Sequence, residues 1–190
     1  MNYKYISLGG NCSVAFQLNK LKLRKKSYPF DWAKISLNQL LRVLENNFEE
    51  FEDVKLIKTL NNNKLLNSKS NNNLLKNKYN IHFANEVLFK YNIEEFKIIL
   101  QKRVDRFKTI AEPIVFFRLE KSLLSKNNIN KYKYLLTLLE SYFKEFKLVV
   151  ILNENSEVFQ NDKIKWVTFK DFSNDWTYSH LDWSNIIHCP

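Results

Sequence analysis

The run Leu-Val-Val-Ile-Leu at positions 148–152 offers no polar residue to either side of a strand. Side chains along a strand alternate between faces, so this run is stable only where both faces are covered. A second run, Ile-Val-Phe-Phe at 114–117, makes the same demand. Between and before these runs the apolar residues recur every three or four positions, which is the helical period. Strands needing cover on both sides, alternating with amphipathic helices, predict an α/β fold. The expectation is a single three-layer domain, residues 1–190, with a mainly parallel sheet of about four to five strands flanked by helices.

Residues 3–8 read as a strand that runs into Gly9-Gly10, a tight turn. From Cys12 or Ser13 a helix follows, with Val14, Ala15, Leu18 and Leu21 on one face. Tyr28-Pro29 interrupts it, because proline holds its predecessor extended. Ser36 is placed to cap a helix bearing Leu37, Leu40, Leu41, Leu44 and Phe48. The asparagine- and lysine-rich stretch near 60–78 reads as a mobile insertion, and 79–83 as a short extended piece. Helices are predicted over 93–107 and 132–143, a weaker fourth strand over 164–169, and a short helix within 176–187. There is no internal repeat and no linker.

Composition bounds the function classes. Of the 190 residues 45% are hydrophobic and 15% aromatic, enough for a packed core and too much for a disordered tail. No apolar run approaches the ~18–20 residues of a membrane-spanning helix, and the first residues lack the pattern of a secretory signal. Cys12 and Cys189 are too few for a disulfide scaffold or a cysteine zinc site, which points to a reducing, cytoplasmic setting. The net charge of +10 suits a module that binds nucleic acid or another polyanion. The charges are dispersed, however, and a chain rich in Lys and Asn with two glycines is what an AT-rich genome encodes. The densest group is Lys20, Lys22, Arg24, Lys25 and Lys26, near a helix end where cations complement the dipole.

In open parallel sheets ligands bind beyond the carboxyl ends of the strands. There the first strand delivers Gly9, Gly10, Asn11 and Cys12, the second Arg118, and the third Asn153 and Glu154. The tail adds Asp175, His180 and Asp182. Cys12 stands where a glycine turn hands the chain to a helix, and a helix N-terminus favours thiolate. The same N–H groups can hold an oxyanion, and the glycines permit close approach by a substrate. His180 is the expected base, ahead of His82 and then His188, with Asp175, Asp182 or Asp31 to orient it. Arg118 is either a buried ion-pair partner or a clamp for an anionic part of the substrate. The segment Ser27-Tyr28-Pro29-Phe30-Asp31-Trp32 reads as a rigid turn with rings in the core, its Asp31 capping the next helix or standing beside the nucleophile. Phosphate-loop, dinucleotide and zinc-peptidase motifs are missing, so neither metal nor cofactor is expected.

Two segments, Ser7-Leu8-Gly9-Gly10-Asn11-Cys12 and, beyond Leu23-Arg24, Ser27-Tyr28-Pro29-Phe30-Asp31-Trp32, resemble a family of papain-like cysteine peptidases of unknown function. That family occurs in bacteria and large DNA viruses, so the resemblance implies a bacterial cell or the cytoplasm of a viral host. It covers roughly the first 50 residues, and more weakly 103–107 and 116–118. It implies a cysteine nucleophile at Cys12, with Asp31 in the shared signature, and a peptide or other acyl-bearing substrate. Papain-like enzymes carry the nucleophile on a leading helix and the histidine on a later antiparallel sheet. The strand before Cys12 also resembles the layout of SGNH-like carbohydrate esterases, whose Asp-x-x-His block is tighter than the Asp175/His180 spacing here.

Overall fold

The computed structural model describes residues 3–58, 73–83, 92–121, 123–170 and 175–187. Four strands, β1 (Lys4–Ser7), β6 (Ile114–Leu119), β7 (Phe146–Asn153) and β8 (Ile164–Phe169), lie side by side in that order, all parallel. The run at 148–152 forms the middle of β7, fully covered on both faces as its composition requires. Register aligns Ser7 with Phe117 and Phe117 with Val149, so whole rows of side chains share a face.

On one face, Val115, Phe117, Leu119, Val149 and Ile151 pack against α1 (Ser13–Lys20) and α5 (Trp183–Ile187). The opposite face carries Ile114, Phe116, Leu148, Val150 and Leu152. These meet α2 (Leu37–Glu45), α3 (Ile93–Lys108) and α4 (Lys126–Tyr142), giving helix, sheet and helix layers. Phe116 sits among Phe107, Phe143 and Phe146 with ring centroids 5.1–6.0 Å apart, each such buried ring being worth about 1.5–3 kcal/mol. Ser36 caps α2 through a capping box, its Oγ accepting from Gln39 N while Gln39 Oε1 accepts from Ser36 N. No helix among the described residues is long and apolar enough to cross a membrane.

Three features depart from the sequence reading. A second sheet, antiparallel in the order β2 (Ala33–Lys34), β5 (His82–Phe83), β4 (Asn73–Asn77), β3 (Val54–Lys58), packs its buried residues into the same core as α2–α4. Of the stretch near 60–78, residues 73–77 are therefore strand, and 60–72 lie outside the described residues. Strands β2 and β5 are two residues each, and so short a segment takes its conformation from its partners rather than from a pattern. Finally, α4 starts at Lys126, because its exposed first turns show no apolar period, and α2 stops at Glu45, with Phe48 reaching the core from a turn at φ 61°.

Candidate active site

The end of β1 is built around two glycines. Leu8 N continues the ladder to Phe117 O (2.8 Å), and Ser7 Oγ accepts from Gly9 N (3.1 Å). Gly9 and Gly10 then adopt φ of +78° and +94°. A Cβ at Gly10 would stand 2.2 Å from the Leu119 carbonyl oxygen, and one at Gly9 2.1 Å from Ile35 Cγ2. Only glycine lets the turn pass between the end of β6 and the β2–α2 connection. The close approach foreseen for a substrate is thus made by the protein itself.

The turn delivers Cys12 as the N-cap of α1. Its carbonyl accepts from Phe16 N (3.0 Å), while its side chain makes no capping bond and its thiol is half-buried. Asn11 Oδ1 takes the neighbouring Ser13 N instead (2.9 Å). The first turn of α1 has no acidic residue to oppose an anion there.

The C-terminal tail closes one side. Asp175 accepts from Thr177 N (3.0 Å), Thr177 Oγ1 and Ser179 N (3.4 Å), folding the tail into a turn. These bonds hold its carboxyl below the usual carboxylate range. Ser13 Oγ donates to Trp176 O and Gln17 Nε2 to Thr177 O (2.7 Å), and the Trp176 ring lies 5.2 Å from that of Phe16. Trp176 is thereby fixed beside the start of α1.

Together these parts enclose a cavity of about 410 Å3 lined by Gly10, Asn11, Cys12, Lys34, Lys121 and Trp176. Its charged side chains are both cationic. Lys121 follows β6 and its ammonium lies 5.3 Å from the centre of the Tyr178 ring. Lys34 comes from β2, where His82 of β5 is its direct partner across the ladder. Directly opposed residues project from the same face of an antiparallel pair, about 5 Å apart. His82 therefore shares the face whose Lys34 walls the cavity. Burial, then the charges of Lys76 and Lys34, push its imidazole below the ordinary 6.5.

The remaining residues read from the sequence are not among those lining the cavity. His180 is exposed, its ring 6.0 Å from that of Tyr178, and its charge helps to hold the Asp175 carboxyl low. Asp182 Oδ1 accepts from Asn185 N (3.0 Å) at the start of α5, beside a different hollow lined by β8. Asn153 Oδ1 accepts from Asn155 N (3.0 Å) in the turn after β7. Arg118 is fully buried and joins three segments: it donates to Leu8 O (2.9 Å), Ile35 O (3.2 Å) and Glu120 Oε1 (2.6 Å). Tyr132 Oη also donates to that carboxylate oxygen (2.9 Å). Burial opposes the charge of Arg118, but Glu120 and Tyr132 together outweigh it and raise the pKa of the guanidinium.

Asp31 is equally buried. Its Oδ2 accepts from Arg24 Nη1 (2.7 Å) and Tyr28 N (2.9 Å), so it ties the 24–32 segment together, and the cap of α2 is Ser36. Its Oδ1 has no hydrogen-bond partner among the described residues, and burial lifts the carboxyl above its usual range despite Arg24. His188 and Cys189 fall outside the described residues. Among the described residues no three His, Cys, Asp or Glu side chains cluster as metal ligands do.

Sequence reasoning did not single out Lys34, Lys121 or Trp176. Lys121 was within reach of the rule that found Arg118, being two residues beyond β6, whereas Lys34 needed knowledge of the second sheet.

The profile of the family described as "Putative papain-like cysteine peptidase" matches residues 3–156. The chain belongs to that family. The matched span contains Cys12, Asp31, Lys34, His82, Arg118 and Lys121, and it ends before the tail that carries Trp176 and His180. An uncharacterized protein of Acanthamoeba polyphaga mimivirus is 44% identical over 48 residues, which make up 25% of this chain and 22% of that one. The chain thus covers less than a quarter of that relative's length. No solved structure matches.

Proposed function

We propose that the chain is a cysteine-dependent acyl hydrolase in which Cys12 attacks a peptide, isopeptide or ester carbonyl. The observation that carries this reading is the shared cavity: a half-buried thiol at a helix N-terminus, walled by two lysines and, among the described residues, no carboxylate. The helix N-terminus and the two lysines favour the thiolate, which is the nucleophilic form. A papain-like arrangement also pairs a cysteine on a leading helix with a histidine on an antiparallel sheet. Cys12 at α1 and His82 on the second sheet fit that pairing.

In the reaction the Cys12 thiol proton passes to neutral His82, and Sγ forms a bond to the acyl carbon. The developing oxyanion is held by backbone N–H groups of Gly10 and Asn11, two of the residues that line the cavity. The C–N or C–O bond then breaks, and the leaving group takes the proton from the His82 imidazolium. Water next attacks the thioester, returns a proton to His82, and the C–S bond breaks to release acid and thiolate. Trp176 and the stems of Lys34 and Lys121 form the walls against which the acyl group lies.

The test is a turnover panel of fluorogenic peptides, an isopeptide and acetyl esters, with a thiol-directed peptide probe alongside. Cys12→Ala should remove all turnover and labelling. His82→Asn should lower turnover by about 10²–10⁴-fold and His180→Asn by less than tenfold. Turnover that survives Cys12→Ala, or a panel with neither turnover nor labelling of Cys12, would overturn the reading. A larger loss in His180→Asn than in His82→Asn would move the base to the tail.

A further inference from the structure

A second recess lies at the other end of the parallel sheet, where β1 and β6 begin. Its volume is about 230 Å3, and Tyr3, Tyr5 and Tyr28 are among the residues that line it. Tyr5 is seated on Phe117, centroids 6.2 Å apart and planes 29° from parallel, so the ring is held in place by the core. Tyr28 is buried, and its hydroxyl feels both Lys4 and Arg106.

Around these rings stand Lys4, Lys25, Lys26 and Arg106, with Glu112 the one carboxylate in the lining, a net charge of +3. Glu112 is engaged by Lys4 (3.0 Å), and Arg106 donates to Ser27 O, which fixes its position. Lys25 and Lys26 are exposed and meet no carboxylate among the described residues. Two of the five residues in the densest basic group of the sequence, Lys25 and Lys26, thus line this aromatic hollow.

The lining selects a ligand class. A metal cation is repelled, an apolar molecule leaves the ammonium groups unused, and a simple inorganic anion makes no use of the rings. A nucleotide uses both: a planar base has a face for tyrosine and a phosphate for lysine. We propose that this recess binds one nucleoside phosphate unit, its phosphate at Lys25 and Lys26 and its base against Tyr3 and Tyr5, taken from a single-stranded nucleic acid or as a free mononucleotide. The site is independent of the hydrolase reading, since Cys12 stands at the opposite end of β1.

The experiment is a fluorescence-anisotropy titration of labelled ten-nucleotide oligo(dT) at 50 mM salt, with AMP, UMP, inorganic phosphate and polyglutamate as competitors. Lys25→Glu/Lys26→Glu should weaken oligonucleotide binding at least tenfold, and Tyr3→Ala severalfold, with far-UV circular dichroism unchanged. Affinity should fall as salt rises, by a log–log slope of about −0.7 for each phosphate contacted. Competition by AMP and UMP identifies free nucleotides as a source, and their failure beside intact oligonucleotide binding identifies the strand. No oligonucleotide or nucleotide binding, binding unchanged in the double variant, phosphate competing as well as AMP, or polyglutamate competing as well as oligo(dT) would each overturn the proposal. The Cys12→Ala protein should bind as the parent does, which separates this site from the hydrolytic one.

Discussion

The two ends of the parallel sheet carry the same sign of charge and different chemistry. At the carboxyl end Lys34 and Lys121 face a thiol, two positive-φ glycines and the start of a helix. At the amino end Lys4, Lys25, Lys26 and Arg106 face three tyrosines and no nucleophile. Cationic charge by itself therefore says little about function in a chain with 30 lysines and arginines. What separates the ends is what surrounds the charge: Gly10, Asn11 and the Cys12 thiol where β1 finishes, three tyrosines where it starts.

The largest effect that distinguishes them is Cys12→Ala. Turnover should vanish while thermal stability moves little, because the thiol is only half-buried and makes no capping bond. A collapse of stability in this variant, seen by calorimetry, would show that the residue is a packing element and would erase the contrast. Next comes Gly10→Ala, which sets a methyl group into the Leu119 carbonyl at a φ unfavourable for alanine. Strain and overpacking together should cost about 2–5 kcal/mol in denaturant unfolding. A loss under 1 kcal/mol would mean that the turn relaxes without consequence.

Smaller shifts sharpen the electrostatics. Lys34→Ala and Lys121→Ala should each raise the pH midpoint of Cys12 alkylation, by an amount on the order of one unit together. Lys25→Ala should leave that midpoint unchanged, since it serves the far recess. If all three behave alike, the protein's overall charge and not the cavity tunes the thiol.

The smallest effect concerns Asp31, whose folded carboxyl is raised above its ordinary value near 3.8. A raised carboxyl binds its proton more tightly folded than unfolded. Its contribution to stability is therefore complete below that ordinary value and is lost as pH rises through the folded one. Asp31→Asn lacks this dependence, so between pH 4 and 7 its stability should improve relative to the parent as pH rises. A gap that widens against asparagine with rising pH would show that Arg24 dominates over burial.

Elements with a strong local pattern were legible in the sequence. The β7 run, the Ser36 cap and the 3–4 spacing of α3 each carry their own signal, and the strand-to-helix position of Cys12 followed from Gly9 and Gly10. The second sheet was not legible, because Ala33–Lys34 and His82–Phe83 become strands only through each other and β4. Half of the candidate site was hidden with it. Lys34 in sequence is one more lysine, and its pairing with His82 exists only through the β2–β5 register. Arg118 shows the converse: its place at a strand end was plain, yet its choice between substrate and structure depended on where Leu8, Ile35 and Glu120 lie in space.

The most direct measurement is the pH dependence of iodoacetamide alkylation, followed at Cys12 and Cys189 separately by peptide mass spectrometry. The account predicts that Cys12 is modified rapidly at pH 6–7, with a midpoint well below the ~8.5 of an ordinary thiol, and that unfolding in urea abolishes the difference. A Cys12 midpoint at or above ~8.5 in the folded protein would contradict it.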